Sequence, residues 1–501
     1  MVFLSENLLL TDWAAGASRA LWRRSPRAVC SWHGGRWVVR PLYYGRTEGG
    51  ALAFASEVKA LLAVTEDVHE FPPGTWYTAS EGFHRYATVE SGRLPEGDPD
   101  RIALELRHRL DQAVARCVVA DEMGTWLSGG VDSSVIATVA WPRVRTLHSF
   151  VSGVKGAPDL AYGEQMATFL GTVHHSLLVT REDLAAALPE VIYHLESFDA
   201  LLVRSSVVNY LTAQLASDYV SAVLSGEGGD ELLVGYDYIK QVPPSAIPAE
   251  VEDIVMRLHN TALQRVDRCA YAHGLVPHIP FADMDVVRYA LRIPAEHKIH
   301  RRGGTAIEKW ILRRAFQGLL PDAVLWRPKA KFWQGAGVET LLAEHAEAFV
   351  TDADFRRERV LPNGWQLHSK EELVYYRFFR EHFGEISNLD WMGRTKRVSG
   401  SPVTAATTRQ RALRDSADPS SYEAPITPTA GASVPSSGTT KGEPGHWLHL
   451  LVHGGGGGLS RYRRREGIEP PPRLPARPSR CAWLPGPGSR WPAPAPPSRI
   501  P

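Results

Sequence analysis

Apolar residues recur along this chain with two different periods, and the change of period divides it. Between about residues 36 and 90 the runs RWVVRPLYYG, ALAFASEV and TWYTASEGFHRYATV are aromatic or β-branched and broken by glycine turns, the last with Glu-Gly at a hairpin-like position. This texture predicts a β-rich region of short strands. Near residue 100 the period lengthens. In DPDRIALELRHRLDQAVARCV, Ile102, Leu104, Leu106, Leu110, Val114 and Val118 fall mostly three or four apart, behind an aspartate able to cap a helix. Beyond it, short apolar runs alternate with helical ones: strand MGTWL, helix SSVIATVAW, strand TLHSFVSG, helix AYGEQMATFLG, strand HHSLLVT. That rhythm predicts an α/β fold, a doubly wound parallel sheet with helices on both faces. Residues from about 240 to 395 follow a mostly helical pattern, with Trp326, Trp333 and Trp365 in the connections.

Composition narrows the reading. The 501 residues carry 56 Lys+Arg against 55 Asp+Glu, a net charge of +1. A dedicated nucleic-acid binder would show a basic excess, so no nucleic-acid partner is expected. No apolar run approaches the ~18 residues of a membrane span, and the opening MVFLSENLLLTDWAAG, with Glu6 and Asp12 and no basic start, is a poor signal peptide. The four cysteines, Cys30, Cys117, Cys269 and Cys481, form no CxxC pair, which fits neither a disulfide framework nor a zinc site and suits the cytoplasm. From about residue 400 onward lie 18 of the 36 prolines, a GGGGG run and RYRRR. Such a segment buries too little apolar surface to offset its ordering entropy and is expected to be a disordered tail. The chain thus divides into a β-rich part (1–97), an α/β part with a helical end (98–396) and the tail (397–501).

Three segments carry chemistry. In MGTWLSGGVDSSVIATV an apolar strand runs into Ser128-Gly129-Gly130, then Asp132-Ser133-Ser134, then an apolar helix. Paired glycines allow close backbone approach, the helix start supplies unpaired N–H groups, and three serines add hydroxyls, so the segment reads as a pyrophosphate cradle. Asp132 would repel phosphate unless Mg²⁺ lies between them. No GK[ST] follows, so this is not a Walker loop. In VSAVLSGEGGDELLVGYDY a second strand ends in Ser225-Gly226 and brings Glu227, Asp230 and Glu231 within five residues. Clustered carboxylates call for a cation or a proton to transfer, so one is expected to bind Mg²⁺ and one to act as a base. In LWRPKAKFWQGAG, Arg327, Lys329 and Lys331 could clamp a leaving pyrophosphate.

LSGGVDSS, LHSFVSGVKGAPDL, SGEGGDELLVGYDY, EKWILRRAF and WRPKAKF, in this order, with ESFDALLVRSSVVNYL among them, resemble the synthetase domain of the glutamine-dependent asparagine synthetases; RPLYYG and FASEVKAL extend the resemblance upstream. It implies a sheet of the ATP-pyrophosphatase type (adenine nucleotide α-hydrolase-like), preceded over 1–97 by part of an N-terminal-nucleophile glutaminase domain. By position, Leu127, Ser152, Ser225 and Gly226 would hold the adenosine part of ATP. Ser128, Gly129, Gly130, Ser133 and Ser134 would form the phosphate loop. Asp132 and Asp230 would bind Mg²⁺, Lys329 would contact the phosphates, Glu227 would deprotonate the attacking ammonia, and Arg204 would help place the substrate carboxylate. The implied reaction joins the side-chain carboxylate of aspartate to AMP, releasing pyrophosphate, and then transfers ammonia to give asparagine. The partners implied are small molecules, with room for a homodimer.

Departures from the family set further expectations. Val2 follows Met1 where the family has its catalytic cysteine, Cys30 is internal, and only the latter half of the glutaminase domain is recognisable, from about Arg36. Glutamine hydrolysis is therefore not expected. Val276 and His278 replace an acidic residue and an arginine, Leu201 and Leu202 stand where many members carry threonines, and Trp333 stands where a serine is usual. A rival reading keeps the adenylation but closes a β-lactam or a cyclic peptide with an amine of the substrate itself. Another is a non-catalytic product of a truncated gene. Lone features have plainer readings: His174-His175 as surface or core residues, Tyr236 and Tyr238 as packed aromatics, and EKWILRRAF as a core helix from which Glu308 and Arg313 could reach the site.

Overall fold

The computed structural model describes residues 41–78, 82–85, 92, 94, 97–302, 305–330 and 332–396, and the backbone of three short strands before residue 41. Val2, Cys30, Lys331 and the expected disordered tail lie outside the described residues.

Helix α1, Pro99–Cys117, starts as its sequence directs: Pro99 opens the first turn and the Asp98 side chain accepts the Asp100 N–H at 3.1 Å. Ile102, Leu106, Leu110 and Val114 form its buried stripe. Leu104, assigned above to the same face, is 57% exposed; two residues from Ile102 it is turned by about 200° around the axis.

Five parallel strands follow: β1 Glu122–Trp126, β2 Thr146–Gly153, β3 Val173–Leu178, β4 Ala222–Leu224 and β5 Val276–His278. Their order across the sheet is β3-β2-β1-β4-β5. The chain builds outward on one side of β1 and then returns to build on the other, so the order reverses between β1 and β4. Alternating side chains serve two cores. Met123, Leu147 and Leu224 pack with α2 (Val131–Ala140) and α3 (Pro158–Leu170). Trp126, Phe150 and Val223, each an odd number of positions away, pack on the opposite face against Ala213 and Ala216 of α5 (Ala200–Ser217) and Ala270 of α6 (Ala262–Tyr271). The doubly wound α/β expectation holds. Among the described residues no helix is long and apolar enough to cross a membrane.

Before α1, strands Leu52–Ala55, Tyr43–Arg46 and Val68–Glu70 pair antiparallel in that order, and Thr75–Thr78 pairs with Gly82–Arg85 as a hairpin. Tyr43, Ala53, Val58, Leu61 and Val68 share a core with α4 (Arg181–Leu195), α5 and Lys370–Phe383. A single buried carboxylate ties these parts together. Glu196, 1% exposed, accepts the Val58 N–H at 3.0 Å, the Lys59 N–H at 2.7 Å and an Arg268 N–H at 3.2 Å. It thereby caps a helix more than a hundred residues away. Glu196→Ala should lower stability by about 2–3 kcal/mol, since it leaves two helix N–H groups unpaired and removes one of the partners of buried Arg268, which keeps Glu57 and the Ser56 carbonyl. Chemical denaturation would measure this, and a loss under about 1 kcal/mol would show that the cap contributes little.

Candidate active site

The loops leaving β1 and β4 lie side by side where the strand order reverses, the place where open α/β sheets bind ligands. Two glycines set their shape. Gly129 has φ +66°, and a Cβ there would lie 2.4 Å from the Tyr162 backbone. A Cβ on Gly226 would lie 2.7 Å from the Ser133 nitrogen, so the second loop can sit on the first turn of α2 only without a side chain. The serines of the first loop are tied together, Ser133 Oγ donating to the Gly130 carbonyl at 3.1 Å and lying 3.3 Å from Ser128 Oγ.

A cavity of about 740 Å³ opens over these loops. Leu127, Ser128, Gly130, Asp132, Ser133, Ser152, Ser225 and Gly226 line it, as do Arg204, Glu227, Asp230 and Lys329. Two of the expected phosphate-loop residues do not. Gly129 turns its backbone against α3, and Ser134 is fully buried inside α2, one turn below the loop. Their part is to shape the cradle.

At the centre of the cavity wall, two carboxylates meet two ammonium groups. Lys309 Nζ contacts both Asp132 and Asp230, and Lys329 Nζ contacts Asp230. Burial works against the charge of Asp230, yet the two lysines outweigh it and hold its carboxyl below the usual carboxylate range. Burial pushes Asp132 up, against the pull of Lys309. Lys309 was not legible as a site residue. The helix in EKWILRRAF begins only at Trp310, and Lys309 precedes it in the left-handed region at φ 53°, with its side chain 1% exposed. Of the two residues expected to reach the site from this segment, Arg313 lines the cavity, held by Glu308.

The donor set fits a divalent cation. Asp132 Oδ1 is buried without a hydrogen-bond partner among the described residues. No group of three or more His, Cys, Asp or Glu is arranged around a metal among them. Two carboxylates with substrate phosphates completing the shell is the usual way Mg²⁺ is held beside a nucleotide.

Other residues depart from expectation. Arg327 is not free to clamp pyrophosphate: it donates to the Ser128 carbonyl at 2.8 Å and to Asp159 at 2.5 Å, with its guanidinium 4.2 Å from the Tyr162 ring centre. It fastens the Lys329 loop to the loop that leaves β1. Arg204 faces the cavity with its guanidinium on Glu371, which also accepts the Tyr375 hydroxyl at 2.7 Å. Glu227 pairs with Arg265 of α6, a residue that sequence reasoning missed. Glu231 is buried and accepts the Tyr236 hydroxyl at 2.5 Å; burial first, then Glu227 and Asp230, push its carboxyl up to about 8. Tyr236 and Tyr238, expected as packed aromatics, stack at 6.1 Å and both line the cavity, as do Leu201, Leu202 and Trp333. His175 is packed against Tyr219 at 3.9 Å between ring centres, in keeping with the plain reading of the histidine pair.

Comparison with known proteins bears on this geometry. A family model described as asparagine synthase matches residues 105–254 and 249–399. The root asparagine synthetase [glutamine-hydrolyzing] of Pisum sativum is 33% identical over 402 residues, 76% of this chain and 67% of that protein. An asparagine synthetase [glutamine-hydrolyzing] of Sandersonia aurantiaca is 34% identical over 376 residues, 70% of this chain and 71% of its own length. An Arabidopsis thaliana relative of the same description is 34% identical over 368 residues, covering 69% of this chain and 63% of its own. The chain thus spans about two thirds of the length of these relatives. The matched region contains both sheet-edge loops and all four members of the carboxylate–ammonium cluster, and on that breadth of likeness the chain belongs to the asparagine synthase family, ligases that form a carbon–nitrogen bond.

Proposed function

We propose that residues 98–396 form a synthetase domain that makes asparagine from aspartate, ammonia and ATP in the cytoplasm, with 1–97 as a β-rich partial glutaminase-like domain and 397–501 as a tail. The observation that carries this reading is the cluster of Asp132, Asp230, Lys309 and Lys329 beside a glycine-shaped cradle. It matches a leaving pyrophosphate: backbone N–H groups at the start of α2 and the two ammonium groups meet its charge. Mg²⁺ bound by Asp132 and Asp230 would supply further neutralisation of the phosphates. Leu127, Ser152, Ser225 and Gly226 hold the adenosine part. Arg204, fixed by Glu371, frames the acyl end.

The substrate carboxylate displaces pyrophosphate from the α-phosphorus to give an acyl-adenylate. Ammonia then attacks the acyl carbon. A C–N bond forms, a nitrogen proton passes to Glu227, and the C–O bond to AMP breaks with its electron pair leaving on AMP. Asparagine formation from ammonium salts should rise with pH, as free ammonia replaces ammonium, while the first-turnover release of pyrophosphate at saturating aspartate changes much less. Amino-acid analysis and a pyrophosphate assay across pH test this. A chain that released pyrophosphate with aspartate but formed no asparagine at any ammonium concentration would contradict the proposal.

A further inference from the structure

Arg265 is the cavity cation that pairs with Glu227. Arg204 is held by Glu371, Arg327 by Asp159 and a carbonyl, and Lys309 and Lys329 by the two aspartates. Arg265 gives Nη2 to Glu227, and its other guanidinium nitrogens have no hydrogen-bond partner among the described residues. The residue is 5% exposed yet lines the cavity. Its position is fixed from both sides. The Phe332 ring lies 5.2 Å from the guanidinium carbon. On the same helix Gln264 donates to the Leu195 carbonyl at 2.8 Å, and Arg268 pairs with Glu196. Burial opposes the charge of Arg265, but Glu227 more than restores it and raises the pKa above the usual arginine value. A buried guanidinium with donors open beside the base is suited to an oxyanion.

On the reading given under Proposed function, we propose that Arg265 is a catalytic residue that binds the acyl oxygen of the substrate, first as an oxygen of the attacking carboxylate and then as the carbonyl oxygen that gains charge when the amine attacks. It transfers nothing; it donates hydrogen bonds to an oxygen present in both half-reactions. Glu227, by contrast, is required only where a proton is removed from nitrogen. The two members of one ion pair should therefore differ in which step they affect.

The test compares Arg265→Gln, Arg265→Lys and Glu227→Gln in the full chain, by aspartate-dependent ATP–pyrophosphate exchange and by asparagine formation from ammonia. Arg265→Gln should lower both by about 10²–10³-fold, the typical loss for one oxyanion donor. Arg265→Lys, which keeps a charge for Glu227 but loses the planar fork, should lower both by less. Thermal unfolding checks folding, and the lysine variant carries the test if the glutamine variant does not fold. If Arg265 only positions Glu227, its variants will spare exchange as Glu227→Gln does, and the double variant will be no worse than Glu227→Gln alone. Either of those results, or unchanged activity, overturns the inference. Absence of aspartate-dependent exchange in the unaltered chain would instead overturn the proposed function.

Discussion

Asp132→Asn should reduce aspartate-dependent ATP–pyrophosphate exchange on the order of 10³-fold while leaving thermal unfolding nearly unchanged. The variant keeps the size of the side chain and an acceptor for Lys309, so the buried contact survives. What it loses is half of the negative charge that faces Lys309 and, with nucleotide bound, a cation ligand. Loss of transition-state charge stabilisation of several kcal/mol is typical at such a site, and about 1.4 kcal/mol is a factor of ten. Exchange of radiolabelled pyrophosphate into ATP reads the step directly. Near-normal exchange would mean that the loop after β1 is not the phosphate site.

The second large effect separates two carboxylates three residues apart. Glu227→Gln should slow asparagine formation about 10²–10⁴-fold, the usual loss when a general base is removed. Pyrophosphate release should fall far less, because adenylation moves no proton to Glu227, and the acyl-adenylate should accumulate or hydrolyse. Asp230→Asn should suppress both steps together, since Asp230 holds Lys309 and Lys329 on the phosphate side of the cavity. Rapid-quench measurement of AMP, pyrophosphate and asparagine would resolve the steps. Equal suppression of both by Glu227→Gln would place that residue in the phosphate site.

The elements that place this site were legible because local pattern and chain order determine them. Strand boundaries at Thr146–Gly153 and Ala222–Leu224 follow from apolar runs closed by glycine and serine, and the Asp98 cap from a polar residue before a helical stripe. The two sheet-edge loops came together as expected because parallel strands of one sheet point their carboxyl ends the same way. What escaped notice depends on contacts between distant segments. Lys309 reaches the cluster only because its backbone takes a left-handed turn before Trp310. Arg265 lies on the polar side of a helix whose apolar stripe is Ala262, Leu263, Val266, Cys269 and Ala270; that side reads as solvent-facing in the sequence, whereas the fold buries it as well. Arg327 looked available because its partner Asp159 lies 168 positions away in sequence. Charges read singly from a sequence look free, and the fold decides which of them are already paired.

The central claim is that the carboxylate of aspartate attacks ATP in this cavity, and the path of one oxygen atom tests it most directly. Aspartate carrying heavy oxygen in its side-chain carboxylate would be converted with ATP and ammonium, and the AMP and asparagine analysed by mass spectrometry. The account predicts one labelled oxygen in the AMP phosphate and one retained in the asparagine amide. AMP without label, with asparagine formed, would contradict it.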